Sequence, residues 1–300
     1  MKQTLFTGCG TALITPFTES GKEVDKKGYQ KLLEYQISNG IDALIVAGTT
    51  GEAPVLTADE KRDLIRISVD YADKKVPVIA GTGSNNTEDA VRKSNAAEKE
   101  GVDGLLLVTP FYNKCTQEGI VKHYFYIADR VSTPIIVYDV PSRTGVSIQP
   151  ETYDTLSEHK NIVAVKEADP DMSKYMKSLA LCGNKLDFYS GNDDLTGCMM
   201  SLGAKGLISV ASNILPDKLH TMCTLFSVGN VRDGTRLHIE LLSLMNLLFC
   251  EVNPIPVKYA LSLLPRLELS PAVRLPLTVL SEKNKEKLRS EIAKTGITDK

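Results

Sequence analysis

The sequence predicts an α/β fold, a closed (β/α)₈ TIM barrel with a C-terminal helical extension, on three observations. Eight short apolar runs of strand character recur before about residue 215 of the 300-residue chain. Segments with apolar residues at helical spacing separate them, the pattern of a parallel sheet wrapped by helices. No strand is followed by the Gly-rich phosphate turn of an open, doubly wound dinucleotide-binding sheet.

The expected strands are Thr11–Phe17, Ala43–Gly48, Pro77–Gly83, Gly104–Pro110, Pro134–Val140, Ile162–Ala168, Asp187–Asn192 and Gly206–Ser212. Eight such units fit the roughly 250 residues that a barrel of this kind takes. Gly8-Cys9-Gly10 is read as preceding the first strand; it opens no helix and so forms no phosphate-binding turn. Helical spacing covers Lys27–Asn39, Thr57–Ala72, Thr87–Glu100 and Gln117–Arg130. Thr57-Ala58-Asp59-Glu60 spells a capping box, and Asn86-Thr87-Glu88-Asp89 places acids in the first turn, where the helix dipole favours them. The alternation stops after about Leu225. Arg236–Phe249 and Ser281–Thr295 have helical spacing, joined by a proline-bearing stretch from Pro254 to Pro276. The expected organisation is a catalytic barrel over residues 1–224 and a helical extension over residues 225–300.

Composition narrows the function. Charged residues at 24% and hydrophobic residues at 42% are ordinary for a globular protein, and the formal charge of -2 gives no basic footprint for nucleic acid. Met1 through Phe6 lacks the apolar core of a signal peptide, and no apolar stretch approaches a membrane span. A cytoplasmic protein without membrane or nucleic-acid partners is expected. The six cysteines are scattered without a CxxC pair and read as reduced packing residues. The four histidines lack ligand spacing, so no metal site is expected, and no G-x-S-x-G elbow supports a Ser-His-Asp triad.

Active sites of such barrels lie at the C-terminal ends of the strands. Ile162-Val163-Ala164-Val165-Lys166-Glu167-Ala168 carries a lysine near its end. An ammonium desolvated there loses part of its affinity for the proton, and a neutral lysine amine is a nucleophile toward carbonyls. A lysine that only snorkels from a strand end is the simpler alternative. The other strand ends supply Gly48-Thr49-Thr50-Gly51-Glu52, Phe111-Tyr112, Tyr138 through Gly145, Ser190-Gly191-Asn192 and Ile208-Ser209. The glycines around Thr49 and Thr50 allow backbone N–H groups to converge on an anion, or form a plain loop. Tyr138 suits proton transfer or simple packing, and the planar fork of Arg143 suits a carboxylate or the open surface.

Gly-Thr-Thr-Gly-Glu, Tyr-x-x-Pro-Ser-Arg-Thr-Gly and Val-Lys-Glu-Ala, in this order over nearly the whole chain, resemble the dihydrodipicolinate synthase and N-acetylneuraminate lyase superfamily of Schiff-base, aldolase-type lyases. Ser142-Arg143-Thr144-Gly145 looks like its dihydrodipicolinate synthase branch, because sialic-acid lyases usually lack an arginine there. The resemblance implies condensation of pyruvate with L-aspartate-4-semialdehyde to 4-hydroxy-tetrahydrodipicolinate, in diaminopimelate and lysine biosynthesis. It implies Lys166 as the imine-forming residue and Tyr138, Thr49 and Tyr112 as a proton relay, with Tyr112 entering the site of a neighbouring subunit. It further implies Thr50 and Arg143 as clamps for the pyruvate and semialdehyde carboxylates, and Gly191 and Ile208 as pocket lining. No metal or organic cofactor is implied beyond the covalent imine, and the assembly implied is a homotetramer built from dimers. Asp139 departs from the asparagine usual after the tyrosine; strand alternation turns it to the opposite face, where little effect on the relay is expected. A keto-sugar-acid lyase of the same superfamily and a non-catalytic keto-acid-binding barrel stand as alternatives.

Overall fold

The computed structural model describes residues 2–297; Met1 and residues 298–300, the outer ends of the expected barrel and extension, lie outside the described residues. Eight parallel strands, β1 (Gly8–Ala12), β2 (Ala43–Val46), β3 (Val78–Gly81), β4 (Gly104–Val108), β5 (Ile135–Asp139), β6 (Ile162–Glu167), β7 (Asp187–Ser190) and β8 (Gly206–Ser209), close into a barrel. β8 returns to pair with β1 through Gly8 opposite Gly206 and Thr11 opposite Ser209. This is the expected (β/α)₈ barrel, with helices at its C-terminal end that include Glu282–Lys294.

Side-chain alternation explains why the central parts of these runs are apolar. Leu44, Val46, Leu105, Leu107, Ile135, Val137 and Val165 face outward into the layer shared with the helices. Ala43, Ile45, Leu106, Ile136, Tyr138 and Ala164 face inward and fill the barrel. A strand buried on both faces has no polar side to spare. Between β5 and β6 the register slips, with Ile135 opposite Ile162 but Ile136 opposite Ala164. Beyond that slip Tyr138 stands opposite Lys166 and Asp139 opposite Glu167.

The first strand corrects the sequence reading. β1 begins at Gly8 and ends at Ala12, so Gly8-Cys9-Gly10 lies inside the strand and Leu13–Phe17 lies beyond it. Close approaches on both sides of β1 favour glycine: at the β8–β1 seam a Cβ on Gly206 would fall 1.9 Å from the Gly8 carbonyl oxygen, and on the β2 side one on Gly10 would fall 2.6 Å from Ile45 Cδ1. Gly8 also has φ +104°, a conformation open to glycine.

The helices that border the site largely follow their signals. Lys26–Ser38, Ala58–Ala72, Thr87–Lys99 and Gln117–Ala128 match the expected spans to within two residues. Thr57 Oγ1 accepts from the Glu60 N–H at 3.1 Å and Glu60 Oε2 accepts from the Thr57 N–H at 2.9 Å, a complete capping box. In the extension, the helix expected from Arg236 begins at Val231, where Asn230 Oδ1 accepts from the Asp233 N–H at 3.3 Å and caps it. The stretch from Pro254 to Pro276 contains a helix, Ile255–Ser262, with proline in its first turn. There the missing N–H has no helical partner to lose. The helix after β8, Pro216–Ser227, runs across the 224/225 division.

Candidate active site

At the C-terminal ends of the strands lies a cavity of about 580 Å³. Lys166 reaches it from β6 because it stands two residues beyond inward-facing Ala164, on the same face. It is 6% exposed, and its Nζ lies 4.3 Å from the centroid of the Tyr138 ring. Burial pulls the Lys166 pKa down to about 8; the buried Asp193 carboxyl opposes this and the Arg143 guanidinium adds to it. Such a lysine is a partly neutral amine near pH 7. Burial also pushes the Tyr138 phenol up to about 12, against Arg143 and a hydrogen bond with Thr49. Tyr138 therefore keeps its proton at neutral pH, next to the Thr49 hydroxyl, as a proton shuttle needs.

Thr49, Thr50, Tyr138, Arg143, Lys166 and Gly191 all line the cavity. Gly191 is where it is because a Cβ there would fall 2.7 Å from Ala168 Cβ and 3.2 Å from Lys166 Cε. Arg143 sits on the exposed rim, in the short helix Pro141–Thr144 that follows β5 directly. Ile208 is buried among the inward-facing barrel residues with Tyr138 and Ala164, outside the lining of the cavity. Tyr112 is not brought to the cavity within this chain. It is 90% exposed, with a left-handed φ of +68°, and its neighbour Phe111 lines the cavity instead.

Asp139 does point to the outer face, into a buried ionic cluster that no local pattern announces. Its Oδ2 accepts from Lys174 Nζ at 2.7 Å, from the Ile148 N–H at 3.0 Å and from the Tyr153 hydroxyl at 3.2 Å. Tyr153 also donates to Glu167 Oε2 at 2.9 Å, and Lys174 reaches Asp169 at 2.9 Å. Burial raises the pKa of both Asp139 and Glu167, and each is opposed by Lys174. One ammonium serving three acids holds the outer ends of β5 and β6 together, directly behind Tyr138 and Lys166.

The extension contributes residues that the sequence reading missed. Asn253, 6% exposed, lines the cavity and donates from Nδ2 to Thr50 Oγ1 at 3.0 Å. Lys258 Nζ lies 2.7 Å from Glu52 Oε1, with both side chains fully buried. The Arg274 N–H donates to Glu52 Oε2 at 3.0 Å. The Arg274 fork also holds Glu60 through two bonds of 2.8 and 2.6 Å and pulls that carboxyl down to about 2. Glu52 in a tight glycine loop was the available signal, since a buried acid requires a counter-ion. Among the described residues, no group of three or more His, Cys, Asp or Glu could hold a metal, and no helix is long and apolar enough to cross a membrane.

The motif set and the barrel agree with comparisons to known proteins. The dihydrodipicolinate synthetase family model matches residues 5–295. A 4-hydroxy-tetrahydrodipicolinate synthase of Geobacter sulfurreducens is 49% identical over 284 residues, covering 95% of this chain and 97% of that protein. The synthase 1 of Clostridium acetobutylicum is 46% identical, covering 98% and 99%. The Acinetobacter baumannii dihydrodipicolinate synthase, solved as a complex with pyruvate, superposes with a TM-score of 0.95 at 40% identity over 98% of this chain and 100% of that one. With a matching model over nearly its full length and relatives this similar, the chain belongs to the dihydrodipicolinate synthetase family.

Proposed function

We propose that this protein condenses pyruvate with L-aspartate-4-semialdehyde to 4-hydroxy-tetrahydrodipicolinate, in diaminopimelate and lysine biosynthesis, through an imine on Lys166. The observation that carries the reading is the buried, pKa-lowered Lys166 amine beside a protonated Tyr138 in a cavity at the strand ends. The neutral amine attacks the ketone carbon of pyruvate. Tyr138, with Thr49 as its partner, delivers and recovers the protons as the carbinolamine loses water. The resulting iminium is an electron sink, so a methyl proton passes to the Tyr138 relay and the enamine attacks the aldehyde carbon of the semialdehyde. The aldehyde oxygen takes that proton back, and the semialdehyde's own amino group then displaces the Lys166 amine as the ring closes. This chemistry proceeds through the covalent imine with no metal or organic cofactor.

Thr50 holds the pyruvate carboxylate and Arg143, on the rim, holds that of the semialdehyde. Gly191 leaves room beside Lys166, and Ile208 packs with Tyr138 and Ala164 inside the barrel. Replacing Arg143 with alanine is expected to raise the semialdehyde KM by roughly 10- to 100-fold, the range for losing a hydrogen bond to a charged group, with the pyruvate KM changed by less than about twofold. Steady-state kinetics with both substrates, together with a screen of alternative aldehyde acceptors, tests this. Unchanged constants and a preference for sugar-acid aldehydes would move the assignment to a keto-sugar-acid lyase.

Residues 1–224 are proposed as the catalytic barrel and residues 225–300 as the extension that braces it. The active form is proposed to be a cytoplasmic homotetramer built from dimers, in which the exposed Tyr112 completes the relay of a neighbouring subunit. Mixed assemblies of Tyr112→Phe and Lys166→Ala subunits, each inactive alone, are then expected to regain part of the wild-type activity. No recovery after subunit exchange, verified by mass spectrometry, would mean that each barrel works alone.

A further inference from the structure

The Thr50 hydroxyl has one hydrogen and two lone pairs, and by itself it could turn either toward the cavity. A carboxylate only accepts, so a carboxylate clamp must present the hydrogen. The Asn253 Nδ2–H bond to Thr50 Oγ1, 3.0 Å long and buried, occupies a lone pair of that oxygen and leaves its hydrogen free for the cavity. The other end of the same amide, Asn253 Oδ1, is buried with no partner among the described residues. A buried amide with an unsatisfied carbonyl is a poor device for stability, because desolvating the carbonyl costs free energy that no bond returns. Among the described residues, its side chain bonds to Thr50 alone.

Asn253 stands one residue before Pro254, the N-cap of the helix Ile255–Ser262, which is anchored through Lys258 to Glu52, two residues beyond Thr50. The extension thus grips the Gly48–Glu52 loop at two points, one charged and one neutral, and the neutral one falls on the substrate-facing hydroxyl.

We infer that Asn253 is a positioning residue for the reaction: it holds the Thr50 hydroxyl in the donor orientation that recognises the carboxylate of the keto-acid substrate. The inference rests on the proposed role of Thr50 as the pyruvate clamp. Asn253→Asp exchanges the donor for an acceptor of the same shape, and a deprotonated carboxylate there draws the Thr50 hydrogen toward itself and away from the cavity. With the full-length protein, the pyruvate KM is expected to rise roughly 10- to 100-fold, the range for a lost hydrogen bond to a charged group. The semialdehyde KM should stay within about twofold.

Two further readouts separate positioning from mere structure. The penalty should shrink as the pH is lowered, because protonating the introduced carboxyl returns a donor to Thr50. It should also largely vanish in a Thr50→Val background, where there is no hydroxyl to orient, and persist in Thr50→Ser, where there is one. Asn253→Ala removes the donor without adding charge and should shift the pyruvate KM in the same direction by a smaller factor. This second variant keeps the test decisive if Asn253→Asp fails to fold. A pyruvate KM unchanged in both variants, an equal loss in the Thr50→Val background, or a fall in Tm alone would overturn the inference. Failure of the wild-type protein to trap pyruvate with borohydride would instead overturn the imine reading on which it rests.

Discussion

Replacing Lys166 with alanine is expected to abolish borohydride trapping of pyruvate and to lower turnover by roughly 10³-fold or more, the scale seen when a covalent nucleophile is removed. Lys166→Arg should do the same, because a guanidinium stays protonated and cannot form the imine. The pH dependence follows from the sign of the shift. The nucleophile is the deprotonated amine, so at subsaturating pyruvate the rate of imine formation in the wild type should rise with pH and level off above about 8. Tyr138, at about 12, keeps its proton across that range and imposes no falling limb there. Stopped-flow measurement of imine formation, with mass spectrometry of the reduced adduct, checks both statements. A stable adduct on a different lysine in Lys166→Ala, or a rate that falls between pH 7 and 8, would remove Lys166 from its role.

Breaking the Glu52–Lys258 pair is expected to be one of the most destabilising single changes in the molecule outside its apolar core. The two groups are buried together, so deleting one leaves the other charge without water or partner, a loss of about 3–5 kcal/mol for buried pairs in general. Lys258→Met strands Glu52 with only the Arg274 N–H, and Glu52→Gln strands Lys258 over the face of Phe17, 4.1 Å from the ring centroid. The double substitution should be less destabilised than the sum of the two singles, because neither charge is then left alone. Urea unfolding curves measure this directly. Singles within about 1 kcal/mol of wild type would mean that packing, not the ion pair, fastens the extension to the barrel. The Gly48–Glu52 loop carries Thr49 and Thr50, so the singles should also raise the pyruvate KM.

Much of the site could be read along the chain because strand alternation is local. Tyr138 and Lys166 each follow an apolar residue two positions earlier, and that period alone turns both inward at the ends of β5 and β6. The same period turned Asp139 outward. The capping box at Thr57 is likewise a rule about neighbours, and it held to the residue. The start of β1 was misplaced because Gly8-Cys9-Gly10 has the composition of a loop; only closure of the barrel sets the Gly8 carbonyl oxygen 1.9 Å from where a Cβ on Gly206 would fall. The helix Ile255–Ser262 was hidden by prolines that its first turn accommodates.

What the sequence by itself determined here is the alternation of strands and helices and the inward-facing lysine and tyrosine, since each follows from periodicity within a dozen residues. Tertiary structure alone decided which polar groups meet. Lys174 finds Asp139 at a separation of 35 residues, Asn253 finds Thr50 at 203, and Lys258 finds Glu52 at 206. No local period encodes such pairings. They exist because folding removes these groups from water, and a buried donor or charge that met no partner would cost more than the fold can spare.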